Sequence, residues 1–205
     1  MKRNICIITA LFFHTFLFSL HAQTDAKKLL DKAAAAFQNG GGIKAEYVFT
    51  MNGQKGSGMI LIQGQKFMND LGEQVVWFDG KTMWTLVRSN EEVNVTEPSA
   101  QEIASMNPYA FVSMYKKGYT PGFGKSTTSY HEILLKPSGR GATAKQILLR
   151  LNKQTLQPVY MKMQTTDRNE VEIVVKSLAK GQKFGAGTFT FNPKLFPDVE
   201  VIDLR

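Results

Sequence analysis

The stretch Gln74-Val75-Val76-Trp77-Phe78-Asp79-Gly80-Lys81-Thr82-Met83-Trp84-Thr85-Leu86-Val87 decides the fold class. Asp79-Gly80 stands between two runs of β-branched and aromatic residues, the composition of a β-hairpin. A tight type I′ turn with positive φ angles is expected there, with antiparallel strands on either side. The flanks say more than the turn. Val75, Val76, Trp77 and Phe78 are all apolar, and Met83, Trp84 and Leu86 repeat that character on the return. A sheet with one wet face alternates apolar and polar residues. This hairpin therefore predicts cover on both of its faces.

Strands extend outward from it. Ile43, Ala45, Tyr47, Phe49 and Met51 alternate with Lys44, Glu46, Val48 and Thr50, and Asn52-Gly53 turns the chain. Residues 59–62 form a continuous apolar run, and Gly64 bends the chain before a strand at 66–69. A strand at 93–95 follows the hairpin. Further strands are expected at 130–136, 147–151, 158–164 and 171–175, with a glycine-rich loop at 181–187 and edge contacts from Val199, Val201 and Leu204. One helix precedes them all. Ala26, Leu29, Leu30, Ala33 and Phe37 recur at helical spacing over 25–38, Thr24 or Asp25 can cap it, and Gly40-Gly41-Gly42 stops it. Its alanine-rich stripe suits packing on a sheet, with a membrane-surface role as the alternative. The expected class is α+β, mainly β: one domain with an antiparallel sheet that curls.

The strand rhythm breaks at 97–118. Ser99 and Glu102 are spaced for a capping box. Ile103 and Met106 share a side, Asn107-Pro108 ends this piece, and Phe111, Val112, Met114 and Tyr115 fall in a second short apolar helix. Residues 119–124 read as a glycine- and proline-containing loop. Two such helices serve either as a lid over the sheet or as a structural corner.

Lys2 and Arg3 precede an apolar run from Ile5 to Leu20, and Ala22 stands at a cleavage point. That is the form of a secretory signal peptide over 1–22, leaving a single domain over 23–205 that is soluble and carries no lipid anchor. A retained anchor is the alternative. The run is shorter than the ~20 apolar residues of a membrane span. Cleavage leaves 183 residues, removes Cys6, His14 and His21, and lowers the formal net charge from +8 to +6. Neither a disulfide nor a His/Cys metal cluster is then possible, and no metal or cofactor is expected.

Catalytic constellations are weak. A Ser-His-Asp triad has only His131, which lies in an expected strand, and no Gly-x-Ser-x-Gly elbow exists. The carboxylate pairs Asp167/Glu170 and Glu91/Glu92 sit in turn-like composition. Scattered lysines without interleaved arginine and aromatic residues argue against nucleic acid, while a basic face can meet an anionic membrane or an acidic partner. The positive signal is apolar. Met51, Met59, Met83, Met161 and Met163 fall in strands, and Met106 and Met114 in the inserted segment. Methionine is flexible and polarizable, a filler of cores and a liner of adaptable apolar sites. With a sheet apolar on both faces, these residues fit a cavity for acyl chains. The candidate lining is Tyr47, Phe49, Met51, Met59 and Leu61 from the first strands, and Trp77, Met83 and Trp84 from the hairpin. Leu149, Met161 and Met163 join from later strands, and Ile103, Met106, Phe111, Val112 and Met114 from the inserted helices. The two tryptophans are expected to flank that apolar interior.

The chain resembles the LolA-type periplasmic carriers of outer-membrane lipoproteins. The resemblance rests on Asp79-Gly80-Lys81-Thr82-Met83-Trp84, then Glu92-Val93 and Val95, and on Phe189-Thr190-Phe191-Asn192-Pro193 followed by Asp198-Val199-Glu200-Val201-Ile202-Asp203. The order of elements matches over nearly the whole of 23–205. It implies an incomplete β-barrel, or strongly curved antiparallel sheet, closed by helices over an apolar cavity. It implies acylated lipoproteins as cargo, loading by an inner-membrane ATP-driven release complex and unloading to an outer-membrane acceptor. A periplasmic monomer in transient contact with membranes follows from the same likeness. One departure is local: the family often has a basic residue followed by proline before the Phe of its third strand, and here Gln63-Gly64 stands ahead of Phe67. A general lipid or glycolipid carrier of the same fold is the second reading, and a hydrolase using Asp167, Glu170 or His131 the third.

If the inserted helices form a lid, Phe111→Asp places a charge in an apolar contact. Acyl-ligand binding is expected to fall at least about tenfold, or ~1.4 kcal/mol, in a protein that still folds. Unchanged binding, or global unfolding, would identify the segment as a corner or as core.

Overall fold

A computed structural model describes residues 24–37, 41–99, 102–103, 115–116, 118–139, 142, 144–165 and 168–205. The expected signal peptide and four of the proposed lid residues, Met106, Phe111, Val112 and Met114, lie outside the described residues. A helix, α1, occupies 24–37. Twelve strands follow: β1 (Gly42–Met51), β2 (Gln54–Gln63), β3 (Lys66–Asp70), β4 (Gln74–Phe78), β5 (Met83–Val87) and β6 (Glu92–Thr96). After the inserted segment come β7 (Tyr119–Phe123), β8 (Tyr130–Pro137), β9 (Ala144–Asn152), β10 (Pro158–Thr165), β11 (Glu170–Gln182) and β12 (Glu200–Asp203). They make one open, strongly curved sheet in the order β12-β6-β5-β4-β3-β2-β1-β11-β10-β9-β8-β7. Every neighbouring pair is antiparallel except β12, which runs parallel to β6.

Helix α1 forms as its spacing predicts. Ala26, Leu30, Ala33 and Ala34 are buried on one stripe and pack on β7 to β10. Alanine lets the helix approach the sheet closely, and the apolar stripe is consumed by that contact rather than by a membrane. The core on this side is continuous: Ile173 of β11 touches both the cluster under α1 and a second cluster built on Ile43, Ala45, Ile60, Phe67, Val76 and Phe78.

Both faces of the hairpin are covered, by different things. Val76, Phe78 and Met83 point to the helix side. Val75, Trp77 and Leu86 point to the far side, where Phe191, Phe196 and Val199 of the C-terminal segment lie over them. The Phe191 and Phe196 rings stack at 5.4 Å, and the Trp77 indole meets them edge-on at 5.7 and 5.9 Å. Asn192 caps the 3-10 turn Pro193–Leu195, its side-chain oxygen accepting from the Lys194 amide, and this turn places Phe196.

Three expectations are corrected. The hairpin turn is a four-residue loop, 79–82, because Phe78 pairs with Met83. Only Gly80 has positive φ, at 106°, and the Asp79 carboxylate accepts from the Lys81 and Thr82 amides. That Asx turn satisfies two backbone donors, which a two-residue turn would not require. Residues 119–123 are strand β7, not loop; Pro121 is tolerated because β7 is the sheet edge, where its missing N–H costs no ladder bond. Strand β11 runs to Gln182, seven residues past its clear alternation, since β1 continues to pair with it through register shifts.

Truncating Trp77 to alanine removes the piece on which the C-terminal segment rests. The variant is expected to lose about 3–5 kcal/mol in urea unfolding, and to become sensitive to protease within 184–199 before it unfolds globally.

Candidate functional site

Period-two alternation divides the proposed lining residues between two faces. Tyr47, Phe49 and Met51 of β1 share the helix side with Met83, Leu149, Met161 and Met163. Ile103, at the start of the inserted segment, packs there too, against the cluster of Phe67 and Val76. Met59 and Leu61 face the other way, because they alternate with Ile60 and Ile62, which occupy the helix side. Trp77 and Trp84 pair with each other across β4 and β5 on that far face. The tryptophans therefore do not flank the helix-side interior; they belong to the mini-core sealed by the C-terminal segment.

On the helix side the lining grades from sealed to open. Leu149 and Met161 are buried beneath α1, and Tyr47 and Met83 are buried in the adjoining cluster. Phe49, Met163, Val171 and Ile173 are half-buried, and Met51 is 49% exposed. Register sets Met51 beside Val171 and Val171 beside Met163, with Phe49, Ile173 and Met161 forming the next row. These rows give an apolar strip across β1, β11 and β10.

Glycines shape this strip. Gly58 pairs with Tyr47 and Gly56 with Phe49 across β1 and β2. A Cβ on Gly58 would stand 2.6 Å from the Tyr47 ring, and one on Gly56 2.4 Å from the Phe49 ring. Both rings thus lie over bare backbone of β2, which they cover in place of side chains. Reaching across, the Tyr47 hydroxyl donates to the buried Asn69 amide oxygen at 2.7 Å. Gly-x-Gly facing Tyr-x-Phe is present in the sequence, but its meaning depends on register, which alternation alone does not supply.

The inserted segment is tied down at both described ends. At its start the Ser99–Glu102 capping box forms as spaced: the Ser99 amide donates to Oε2 of Glu102 at 2.8 Å, and the Glu102 amide to Oγ of Ser99 at 3.3 Å. The Ser99 hydroxyl and amide hold the Glu102 carboxyl below its usual range. At its end Tyr115 is buried against the core under α1, and its hydroxyl donates to Asp31 on that helix. Lys27 and Lys116 flank the same carboxylate at 3.1 and 3.4 Å. The Tyr115 hydroxyl first, and then the lysines, hold Asp31 down at about 2. Gln63-Gly64 only leads from β2 into the turn before β3, with Gly64 at φ 62°. The described ties between insert and helix are therefore Tyr115 and Lys116 to Asp31.

The hydrolase candidates do not assemble. His131 pairs with Leu151 of β9, whereas Glu170 lies beyond Gln146, across β10. Five residues of strand separate them, roughly 17 Å. Glu170 is ion-paired with Lys162, and Asp167 lies outside the described residues. Glu91 has a left-handed backbone in the connection ahead of β6, and Glu92 begins that strand. Among the described residues no three His, Cys, Asp or Glu side chains group as metal ligands, and no helix is long and apolar enough to cross a membrane.

A family model described as outer membrane lipoprotein carrier protein LolA matches residues 16–167. No curated protein matches the chain. Among solved structures, an uncharacterized conserved protein from Thermus thermophilus superposes with a TM-score of 0.61 at 10% identity, covering 87% of this chain and 99% of its own. A LolA superfamily protein from Nitrosomonas europaea is similar at a TM-score of 0.44 and 12% identity, over 81% of this chain and 97% of its own. A putative outer membrane lipoprotein-sorting protein domain from Vibrio parahaemolyticus reaches 0.47 at 8% identity, over 85% and 99%. The Thermus match supports the fold.

Burial pushes the Tyr47 phenol from 10.0 up to about 12. The fold thus favours the neutral phenol, a contribution fully present below pH 10 and lost as pH rises through 12. Wild-type stability is expected to decline across that window, and Tyr47→Phe to decline less. At neutral pH the variant should lose about 1–3 kcal/mol, because Asn69 loses its donor. Denaturant unfolding at both pH values checks the pair; identical slopes would remove Tyr47 from this role.

Proposed function

Because the chain belongs to the LolA family of outer membrane lipoprotein carrier proteins, we propose that it is a non-enzymatic periplasmic carrier that shields the acyl chains of lipoproteins between the inner and outer membranes. Residues 1–22 act as the signal peptide and 23–205 as the single carrier domain. The observation that supports this reading is the half-open apolar strip of Phe49, Met51, Val171 and Met163 on the helix side. The far face, by contrast, has Trp77 under Phe191 and Phe196.

The physics of the task fits this arrangement. Each CH₂ held out of water is worth ~0.8 kcal/mol, so an acyl chain does not cross an aqueous gap unshielded. A carrier needs an apolar surface that can be covered and uncovered, and no catalytic group. Half-buried methionine and phenylalanine side chains adapt to chains of differing length. In this reading the inserted segment, with Met106, Phe111, Val112 and Met114, covers the cargo, and Tyr115 on Asp31 keeps its far end attached to α1. An inner-membrane ATP-driven release complex loads the carrier and an outer-membrane acceptor unloads it. The Gln63-Gly64 turn, in place of the family's basic-proline pair, favours a test of cargo class as well: free lipid or glycolipid on the same fold is the second reading.

Phe49→Asp places a carboxylate in the middle of the strip. Binding of a fluorescent long-chain fatty acid is expected to weaken at least about tenfold, or ~1.4 kcal/mol, with circular dichroism unchanged. Extraction of the protein purified from its native cells should release acylated lipoprotein. Free lipid alone would assign the second reading, and normal fatty-acid binding by folded Phe49→Asp would remove the strip from the site.

A further inference from the structure

Charge is sorted along the sheet. Among the described residues, 66–103 and 192–205, which build β3 to β6 and β12, hold ten carboxylates against five basic side chains. Residues 24–65 and 115–191, which build α1, β1, β2 and β7 to β11, hold six carboxylates against sixteen basic side chains. Strand order sets these groups side by side as opposite halves of one sheet. The net charge of +5 over the described residues is therefore the balance of a half at +10 and one at −5.

The basic half draws its charge from lysine, and Lys27, Lys28, Lys44, Lys116 and Lys162 in it are ion-paired with carboxylates. Fourteen of its sixteen cations are lysines. Of the two arginines, Arg150 is already engaged, ion-paired with buried Glu132 at 2.9 Å and stacked on the Tyr130 and Tyr160 rings. At the free edge of this half Phe123 ends β7 with 40% of its surface exposed. Exposed Lys125 and Lys153 lie in the loops at the same end of the sheet, where the Lys153 amide donates to the Ser129 carbonyl. An aromatic ring beside ammonium groups is the chemistry of a membrane interface, the ring entering the headgroup layer and the charges staying at its surface.

We propose that the basic half, led by Phe123 with Lys125 and Lys153, docks the chain on an anionic lipid bilayer, with the acidic half turned away. A protein partner favours arginine and disfavours lysine at its contact. The compact lysine ammonium suits phosphate groups spread over a plane without fixed geometry. The attraction reaches only ~8 Å at physiological ionic strength, so docking is reversible, and the charge separation sets its orientation. This inference rests on charge and exposure and holds whether or not the helix-side face takes an acyl chain.

Co-sedimentation tests it, with vesicles of phosphatidylcholine alone and of an equal mixture with phosphatidylglycerol, at low and at high salt. All variants are made in the same chain, so any contribution of residues 1–22 is common to them. Wild type is expected to sediment with the mixed vesicles at low salt and to be released at high salt. The double variant Lys125→Gln/Lys153→Gln should partition at least about fivefold less. Phe123→Ser should lower binding without altering the salt dependence. The acidic-half variant Glu73→Lys/Glu91→Lys, checked like the others by circular dichroism, should bind as well as wild type or better. Absent binding to mixed vesicles, equal binding to phosphatidylcholine, or retained binding by the double variant would overturn the proposal. Capture by soluble polyglutamate without vesicle binding would assign the surface to an acidic protein and overturn it equally.

Discussion

The ladder between β1 and β11 is the joint on which the rest of the molecule depends. It brings together Gly42–Met51 and Glu170–Gln182, segments more than a hundred residues apart in the chain. On one side of it hang β2 to β6 and β12; on the other, β7 to β10. Apart from β12, which reaches β6 from far along the chain, each half is a run of antiparallel strands consecutive in sequence. This pairing makes them one surface, and Ile173, which lies on it, packs against both the core beneath α1 and the core beneath the hairpin. The apolar strip of the candidate site crosses the same joint, from Met51 through Val171 to Met163. Fold and site share one structural dependency.

Hydrogen-bonded polar groups keep that apolar surface in shape. Tyr47 spans β2 at a glycine to reach Asn69, fixing the position of a large ring that a purely apolar contact would leave free to slide. Glu132 does comparable work on the far face. Its carboxylate accepts from the Lys125 amide and the Arg150 guanidinium, and its own amide donates to Ser126. The loop after β7 is thereby held to β8 without any apolar side chain. Both groups are buried and satisfied, the condition under which a polar group in a core specifies geometry rather than destabilising it.

Much of the fold is legible in the sequence, and the failures have physical reasons. The helix, the hairpin and the need for cover on both of its faces follow from periodicity, which is local. The capping box at Ser99 and Glu102 is equally local and forms as spaced. Which face a residue of a continuous apolar run takes is not local. Apolar character alone groups Met59 and Leu61 with Tyr47, but pairing of β1 with β2 sends them to opposite sides. Size alone assigns the tryptophans inward; a C-terminal segment more than a hundred residues away supplies their partners instead. Pro121 and Gly122 hide strand β7, and they are acceptable there only because no further strand follows at that edge. Sequence spacing offers Asp31 only its i,i+4 partner Lys27, since Tyr115 is eighty-four residues distant.

The parallel docking of β12 on β6 has a bearing on how the chain is made. Synthesis completes β1 to β6 long before the residues that cover Val75, Trp77 and Leu86 exist. Until Phe191, Phe196 and β12 arrive, the nascent half-sheet presents an indole-rich face and an open β6 edge, the two features that drive strand-to-strand association between chains. Residues 191–203 therefore act like an internal chaperone that is delivered after the sheet they cover. A product that stops before residue 191 would keep that face bare and be sticky. The strong dependence on non-local pairing also places this molecule among slow folders, which lengthens the interval during which that face is bare.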